Sequence, residues 1–134
     1  MHAAVVANGH EGRQAHAHLD VDFRVLDLSA DELPPAEVVF VRQVFQHLSN
    51  AQIAAALHKI QQTYRYLVLT EHLPAHEPFV PNLDKPAGRN IRHGIDSGVV
   101  LTHAPFDLRP VQEQRLCEVP ETGGVIRTTL YQLS

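Results

Sequence analysis

From Val21 onward apolar and polar positions alternate: Val21, Phe23 and Val25 are interleaved with Asp22 and Arg24, and Leu26-Asp27-Leu28 follows. A period of two marks a strand with one face buried, so this segment predicts a strand ending at an acidic residue. Pro34-Pro35 interrupts the chain, and Val38-Val39-Phe40-Val41 is then apolar without a break. Parallel strands covered on both faces have that composition, and both strands are expected to be buried. The period then changes to that of a helix. Ser49 and Gln52 have capping-box spacing, Ile53, Ala56, Leu57 and Ile60 recur at helical intervals, and Lys59 falls in the expected last turn, where a cation complements the helix dipole. Tyr66-Leu67-Val68-Leu69-Thr70 reads as a third buried strand. The order strand, helix, strand implies a right-handed parallel crossover and hence an α/β protein.

Between Leu73 and Pro110, prolines stand at 74, 78, 81, 86, 105 and 110 and glycines at 88, 94 and 98, which excludes a long regular element. Irregular segments of that length in compact domains are more often lids or binding loops than plain connections. Further on, Val125, Arg127, Thr129 and Tyr131 alternate with Ile126, Thr128, Leu130 and Gln132. With Arg115 to Val119 and the turn Glu121-Thr122-Gly123-Gly124, they predict a C-terminal β-hairpin. Before Asp20 the pattern weakens. A short apolar stretch from Ala3 to Ala7, then Gly9, Gly12 and Ala15-His16-Ala17-His18, fits either a strand leading into a loop and a frayed helix or a segment without fixed structure.

Composition narrows the function classes. A length of 134 residues suits one domain, spanning 1–134, and the 44% hydrophobic content is that of a globular chain. No apolar run approaches a membrane span, and Met1-His2-Ala3-Ala4 leads into polar Asn8, Gly9 and His10 instead of a secretory h-region. A net charge of −4 without a Lys/Arg cluster argues against nucleic acid and for a small-molecule partner. The single cysteine, Cys117, fits a reducing compartment, so the expected location is cytoplasmic. Ten histidines make the net charge sensitive to mild acid.

Several pieces then fall in a telling order: Phe23-Arg24-Val25-Leu26-Asp27, the turn Leu33-Pro34-Pro35-Ala36-Glu37, the strand Val38 to Val41, and Gln46-His47-Leu48-Ser49-Asn50 before a capped helix. That series resembles the middle of a class I S-adenosylmethionine-dependent methyltransferase domain. The strand Tyr66 to Thr70, the irregular segment ending in Ala104-Pro105-Phe106 and the terminal hairpin are similar to the rest of it. The resemblance covers roughly residues 20 to 134, the C-terminal two-thirds of such a domain. It implies a partial Rossmann-like α/β fold, a mixed sheet with a C-terminal antiparallel hairpin, S-adenosylmethionine as cofactor and a small-molecule methyl acceptor. It further implies that Asp27 accepts a hydrogen bond from the adenine amino group and that the backbone beside Leu28 contacts the ring. Arg42 and Gln43 would approach the methionine moiety, since ligands of open α/β sheets bind at the carboxyl ends of strands. His47 would face the acceptor, where methyl transfer to oxygen or nitrogen needs alignment and loss of a proton.

The departures from the family pattern are as informative. Too few residues precede Val21 to supply both the glycine-rich first strand, which lets the backbone approach the cofactor, and a second strand ending in a ribose-binding acid. Val5-Val6-Ala7-Asn8-Gly9-His10-Glu11-Gly12 offers only a lone Gly-x-x-Gly. The chain therefore reads as lacking the glycine-rich cofactor segment, which a truncated gene product, a complementing partner chain or a homodimer that covers the exposed sheet edge would each fit. Three functions stay open: a methyltransferase-like protein acting on a small molecule, a catalytically inactive interaction module, and a His-rich metal-binding domain.

Individual residues carry paired readings. Asp27 is either a cofactor ligand or a turn cap. His47 is either a general base or a local backbone partner. Glu71-His72 is an acid/base pair lining the crevice or a solvated rim. His16 with His18, and His72 with His76, have metal-ligand spacings, although Pro74 opposes a regular helix in the second pair. Cys117 fits a small core residue better than a nucleophile. Asn82, Asp84, Lys85, Arg89, Arg92 and Asp96 either bind an acceptor or solvate the loop.

Overall fold

The stripe Ile53, Ala56, Leu57 and Ile60 organises the molecule, because all four side chains are buried in one core with the apolar residues of a sheet. The computed structural model describes the backbone of Ala3–Val6 and of residues 21–134, with side chains from Val25 onward. The strands are β1 (Ala3–Val6), β2 (Val21–Arg24), β3 (Val38–Arg42), β4 (Tyr66–Pro74), β5 (Gln112–Glu121) and β6 (Gly124–Gln132). An α-helix, α1 (Asn50–Thr63), joins β3 to β4, and 3-10 turns occupy Phe45–His47 and Arg92–Ile95. β1 and β2 pair in parallel. The other strands form a mixed sheet in the order β3-β4-β6-β5, with β3 parallel to β4 and the remaining pairs antiparallel.

Register decides what each face carries. Val39 pairs with Leu67, Val41 with Leu69, and these continue into Tyr131, Thr129 and the pair Glu71–Arg127. Directly opposed residues share a face, so this face holds Val41, Leu67, Leu69 and Tyr131, which join the α1 stripe in the core. The other face of β3 carries Val38, Phe40 and Arg42, all exposed. The expectation that β3 is buried on both sides is therefore corrected: among the described residues only one face is covered, and Phe40 is 74% accessible.

α1 begins as its sequence requires. Ser49 accepts from the Gln52 amide while the Gln52 side chain accepts from the Ser49 amide at 3.0 Å, a complete capping box. The helix continues to Thr63, so Lys59 lies ahead of the last turn, and its ammonium donates to the Asp31 carbonyl at 2.6 Å. Three other expectations shift. The strand before Asp27 ends at Arg24, because the Ala30 and Asp31 amides fold back onto the Asp27 carbonyl. β4 runs past Thr70 to Pro74, carried on by its antiparallel partner β6. Cys117 is exposed and not a core residue, since β5 is an edge strand exposed along its whole length and the register shifts between Arg115 and Cys117. The short apolar stretch near the N-terminus does contain a strand, β1, while Gly9, Gly12, His16 and His18 lie outside the described residues. No helix among the described residues is long and apolar enough to cross a membrane.

Candidate functional site

Where β2 gives way to an extended segment and β3 presents an edge that is unpaired among the described residues, a cavity of about 880 Å³ opens between them. Val25 to Leu28 line one side and Val38 to Val41 the other, with Leu33, Pro34, Val44, Leu48, Gln52 and Tyr64 completing the walls. Its lining is mostly apolar, with the carboxylates of Asp27 and Asp31 as the charged groups. Few, well-placed polar groups in an apolar concavity are typical of small-molecule sites. Tyr64, whose hydroxyl donates to the Pro34 carbonyl at 2.6 Å, pins the proline turn to the end of α1. Burial raises the pKa of that phenol, so it stays protonated as a donor.

Asp27 sits at the cavity within a tight turn. Its Oδ1 accepts from the Ser29 hydroxyl at 2.6 Å and the Ser29 amide at 2.9 Å, and its own amide donates to Asp31 Oδ2 at 2.7 Å. The Ser29 hydroxyl and then the Ser29 amide hold the Asp27 carboxyl below the usual carboxylate range, keeping it ionised. Both bonds from Ser29 end on Oδ1, and among the described residues none donates to Oδ2. The turn-capping geometry is thus present, and one oxygen is left over for a ligand donor. Leu28 lines the same cavity and packs on the core.

Arg42 and Gln43 follow Val41, the last cavity-lining residue of β3. Arg42 is exposed. Gln43 adopts a left-handed conformation (φ 53°) while its amide donates to the Thr70 carbonyl at 2.8 Å, which turns the chain off the sheet into Phe45–His47. His47 is tied to the long loop: its Nδ1 lies 3.2 Å from the Gly88 carbonyl, and its own carbonyl accepts from the Gly88 amide at 2.9 Å and Lys85 Nζ at 3.2 Å.

Glu71 and His72 do not form a pair. As neighbours on β4 they point to opposite faces. Glu71 is 2% accessible, and burial pushes its carboxyl up to about 8, against the attraction of Arg92 and the nearby Gln46 and Phe45 amides. Those amides approach without reaching hydrogen-bond geometry, and neither carboxyl oxygen has a partner. His72 stacks on His93 with ring centroids 4.4 Å apart. Each imidazole has its Nε2 3.2 Å from a carbonyl of the β5–β6 turn, His72 at Glu121 and His93 at Gly123. The His72 amide donates to Gln46 Oε1 at 3.1 Å, bringing the ends of β3 and β4 together.

The loop residues divide in a way the sequence did not disclose. Arg92 is fully buried and Asn82 is 5% accessible, so neither is loop solvation. Arg92 donates to the Leu83 and Phe45 carbonyls and to Asn50 Oδ1 at 3.0, 2.9 and 2.6 Å. Asp84 Oδ1 accepts from the Asn50 amide at 2.8 Å at the start of α1. Exposed Asp96 pairs with His76 at 2.6 Å. Among the described residues no group of three or more His, Cys, Asp or Glu side chains is arranged to hold a metal. Arg127 was not singled out by its sequence, because an arginine on an alternating strand looks like any solvated position; its place opposite Glu71 emerges only from register.

Comparison with solved structures gives the same architecture. The N-terminal domain of EvdMO1, crystallised in the presence of SAH and D-fucose, matches 91% of this chain with a TM-score of 0.58 and 12% identity. The SAH-bound form of that domain matches with a TM-score of 0.56 and 11% identity over 91% of this chain and 58% of its own. TehB from Haemophilus influenzae matches over 98% of this chain and 49% of its own, with a TM-score of 0.56 and 11% identity. The chain covers 59% of the first EvdMO1 domain structure and 27% of full EvdMO1, so it spans between about a quarter and three-fifths of these chains. No family model matches the sequence, and no curated protein matches it. The chain shares the α/β fold of these structures, the class I S-adenosylmethionine-dependent methyltransferase fold, with a mixed four-stranded sheet among the described residues.

Proposed function

We propose that this chain supplies the adenine-side wall and the acceptor-side edge of an S-adenosylmethionine-dependent methyltransferase that acts on a small molecule. The observation that carries this reading is the 880 Å³ cavity with the ionised Asp27 in its wall, in a fold whose solved relatives include an SAH-bound domain. The residues present fit the group: Asp27 Oδ2 suits the adenine amino donor and Leu28 offers an apolar contact to the ring, while Arg42 and Gln43 continue the wall past the end of β3 toward the methionine moiety. When bound, the cofactor supplies an electrophilic methyl group, so the protein's own task is alignment and proton removal. His47, Glu71 and His72 border the carboxyl ends of β3 and β4, and the two imidazoles are the groups suited to taking a proton from an oxygen or nitrogen acceptor. Crystallisation of one relative with D-fucose favours a small hydroxylated acceptor. Calorimetric titration with SAH tests the reading. Saturable binding that weakens at least about tenfold in Asp27→Ala supports it, and no heat at millimolar SAH overturns it for this chain.

A second reading, a catalytically inactive interaction module, is favoured by the open edge of β3. Phe40 and Val25 are 74% and 51% accessible beside the cavity, and among the described residues β3 pairs on one side only. Unpaired strand edges are templates for another strand. Analytical ultracentrifugation of Phe40→Lys separates the two: a dimer dissolved by the substitution, with no SAH binding in either form, selects the module.

A further inference from the structure

On the face of the sheet that carries α1, a second cavity of about 60 Å³ lies apart from the proposed cofactor cleft, bordered by β4, β5, β6 and the Val99–Val100 segment. Glu71 and Arg127 both line it. They are directly opposed across β4 and β6, a position in which side chains of opposite charge ordinarily join, yet they make no ion pair. Both Glu71 oxygens and the Arg127 Nε are buried and without partners. Arg127 is turned by its other end: its Nη2 is 3.1 Å from Glu118 and 3.6 Å from Glu77. Its Nε–H is left as a buried donor with nothing to donate to.

We propose that this cavity is a binding site for a small monocarboxylate of formate or acetate size, held between the Nε–H of Arg127 and the O–H of a protonated Glu71. Two donors converging on one space complement the two oxygens of a carboxylate. The size agrees, since a cavity needs about 10–15 Å³ to hold one water and this one therefore takes roughly four heavy atoms. Leu69, Leu73 and Val99 supply an apolar wall for a methyl group.

The charges around the cavity are balanced, so an anion there is held by the two donors and not by an excess of positive charge. Facing Glu71 are Arg92 from the long loop, the Phe45 and Gln46 amides, Arg127 and Tyr131 on β6, and Glu113 and Arg115 on β5, with Glu118 and Glu77 bound to Arg127 outside. Three arginines balance three glutamates once Glu71 is neutral. Burial also keeps the Tyr131 hydroxyl protonated. Glu71 loses its proton only as pH rises through about 8, so anion binding is strong below that point and fails above it. The site does not rest on methyl transfer.

The test is titration of the full chain with acetate and formate, followed by amide NMR shifts at about pH 6.5 and about pH 9.5. The expected result is saturable binding that shifts residues of β4 and β6 near Glu71 and Arg127, with affinity lower by about tenfold or more at the higher pH. Glu71→Gln keeps a donor without a titrating proton, so it should bind equally at both pH values. Arg127→Lys keeps the charge but removes the Nε–H and should weaken binding by about tenfold or more. Absence of saturation at about 100 mM acetate, shifts confined to other surfaces, or wild-type affinity unchanged with pH would each overturn the proposal.

Discussion

Arg92 Nη1 donates to the Phe45 carbonyl at 2.9 Å, and through that bond the long loop is fastened to the turn that follows β3. The same guanidinium reaches Leu83 and Asn50, so one side chain joins the loop, the strand end and the first turn of α1. Removing it leaves three acceptors in a buried place without a donor. Arg92→Leu is expected to cost about 3–5 kcal/mol, and Arg92→Lys to rescue little, since one ammonium cannot copy the fork. Urea unfolding followed by circular dichroism measures both.

Asn82 does a similar task within the loop. Its Nδ2 reaches the Val100, His103 and Ala104 carbonyls, its Oδ1 accepts from the Val100 amide at 2.8 Å, and its backbone is left-handed at φ 60°. Asparagine tolerates that conformation better than most residues. Asn82→Ala is expected to destabilise by about 2–4 kcal/mol, and Asn82→Asp by a comparable amount, because a carboxylate would face carbonyl oxygens. Thermal melts give both values.

Glu71 makes stability depend on pH in an unusual direction. Its folded pKa of about 8 lies above its ordinary 4.5, so between those values the folded chain holds a proton that the unfolded chain has released. Stability from this group is complete below about pH 4.5 and is lost as pH rises through about 8. The loss is on the order of a few kcal/mol. Glu71→Gln is expected to flatten that decline and to be the more stable protein near pH 9, as read from denaturant midpoints across pH.

Gly124 has no space for a side chain. A Cβ there would meet the Leu73 carbonyl oxygen and, at 2.9 Å, the Nε2 atoms of both His72 and His93. Gly124→Ala is expected to cost about 2 kcal/mol or more and to separate the stacked imidazoles. Hydrogen exchange at the Glu121–Gly124 turn should report that opening.

The sequence was most legible where local chemistry and tertiary packing agree. The α1 cap, its buried stripe, the apolar runs of β3 and β4 and the terminal hairpin all follow from period and capping. β3 misled because a continuous apolar run does not say which face finds a partner, and Val38 and Phe40 find none among the described residues. Cys117 misled because apolar neighbours on an edge strand imitate a core. At the candidate site Asp27 was visible from its place after a strand. By contrast, the buried roles of Arg92 and Asn82, and the opposition of Glu71 to Arg127, depend on contacts between residues far apart in sequence, which no local pattern encodes.

The most direct test of the central claim is a map of amide chemical-shift changes as SAH is added to the isotopically labelled chain. If the chain provides the adenine-side wall of a cofactor cleft, the saturable shifts should cluster at Val25 to Leu28 and Val38 to Gln43 and should disappear in Asp27→Ala. Shifts that do not saturate, or that fall on the β5–β6 hairpin and leave Asp27 and Leu28 unchanged, would contradict it.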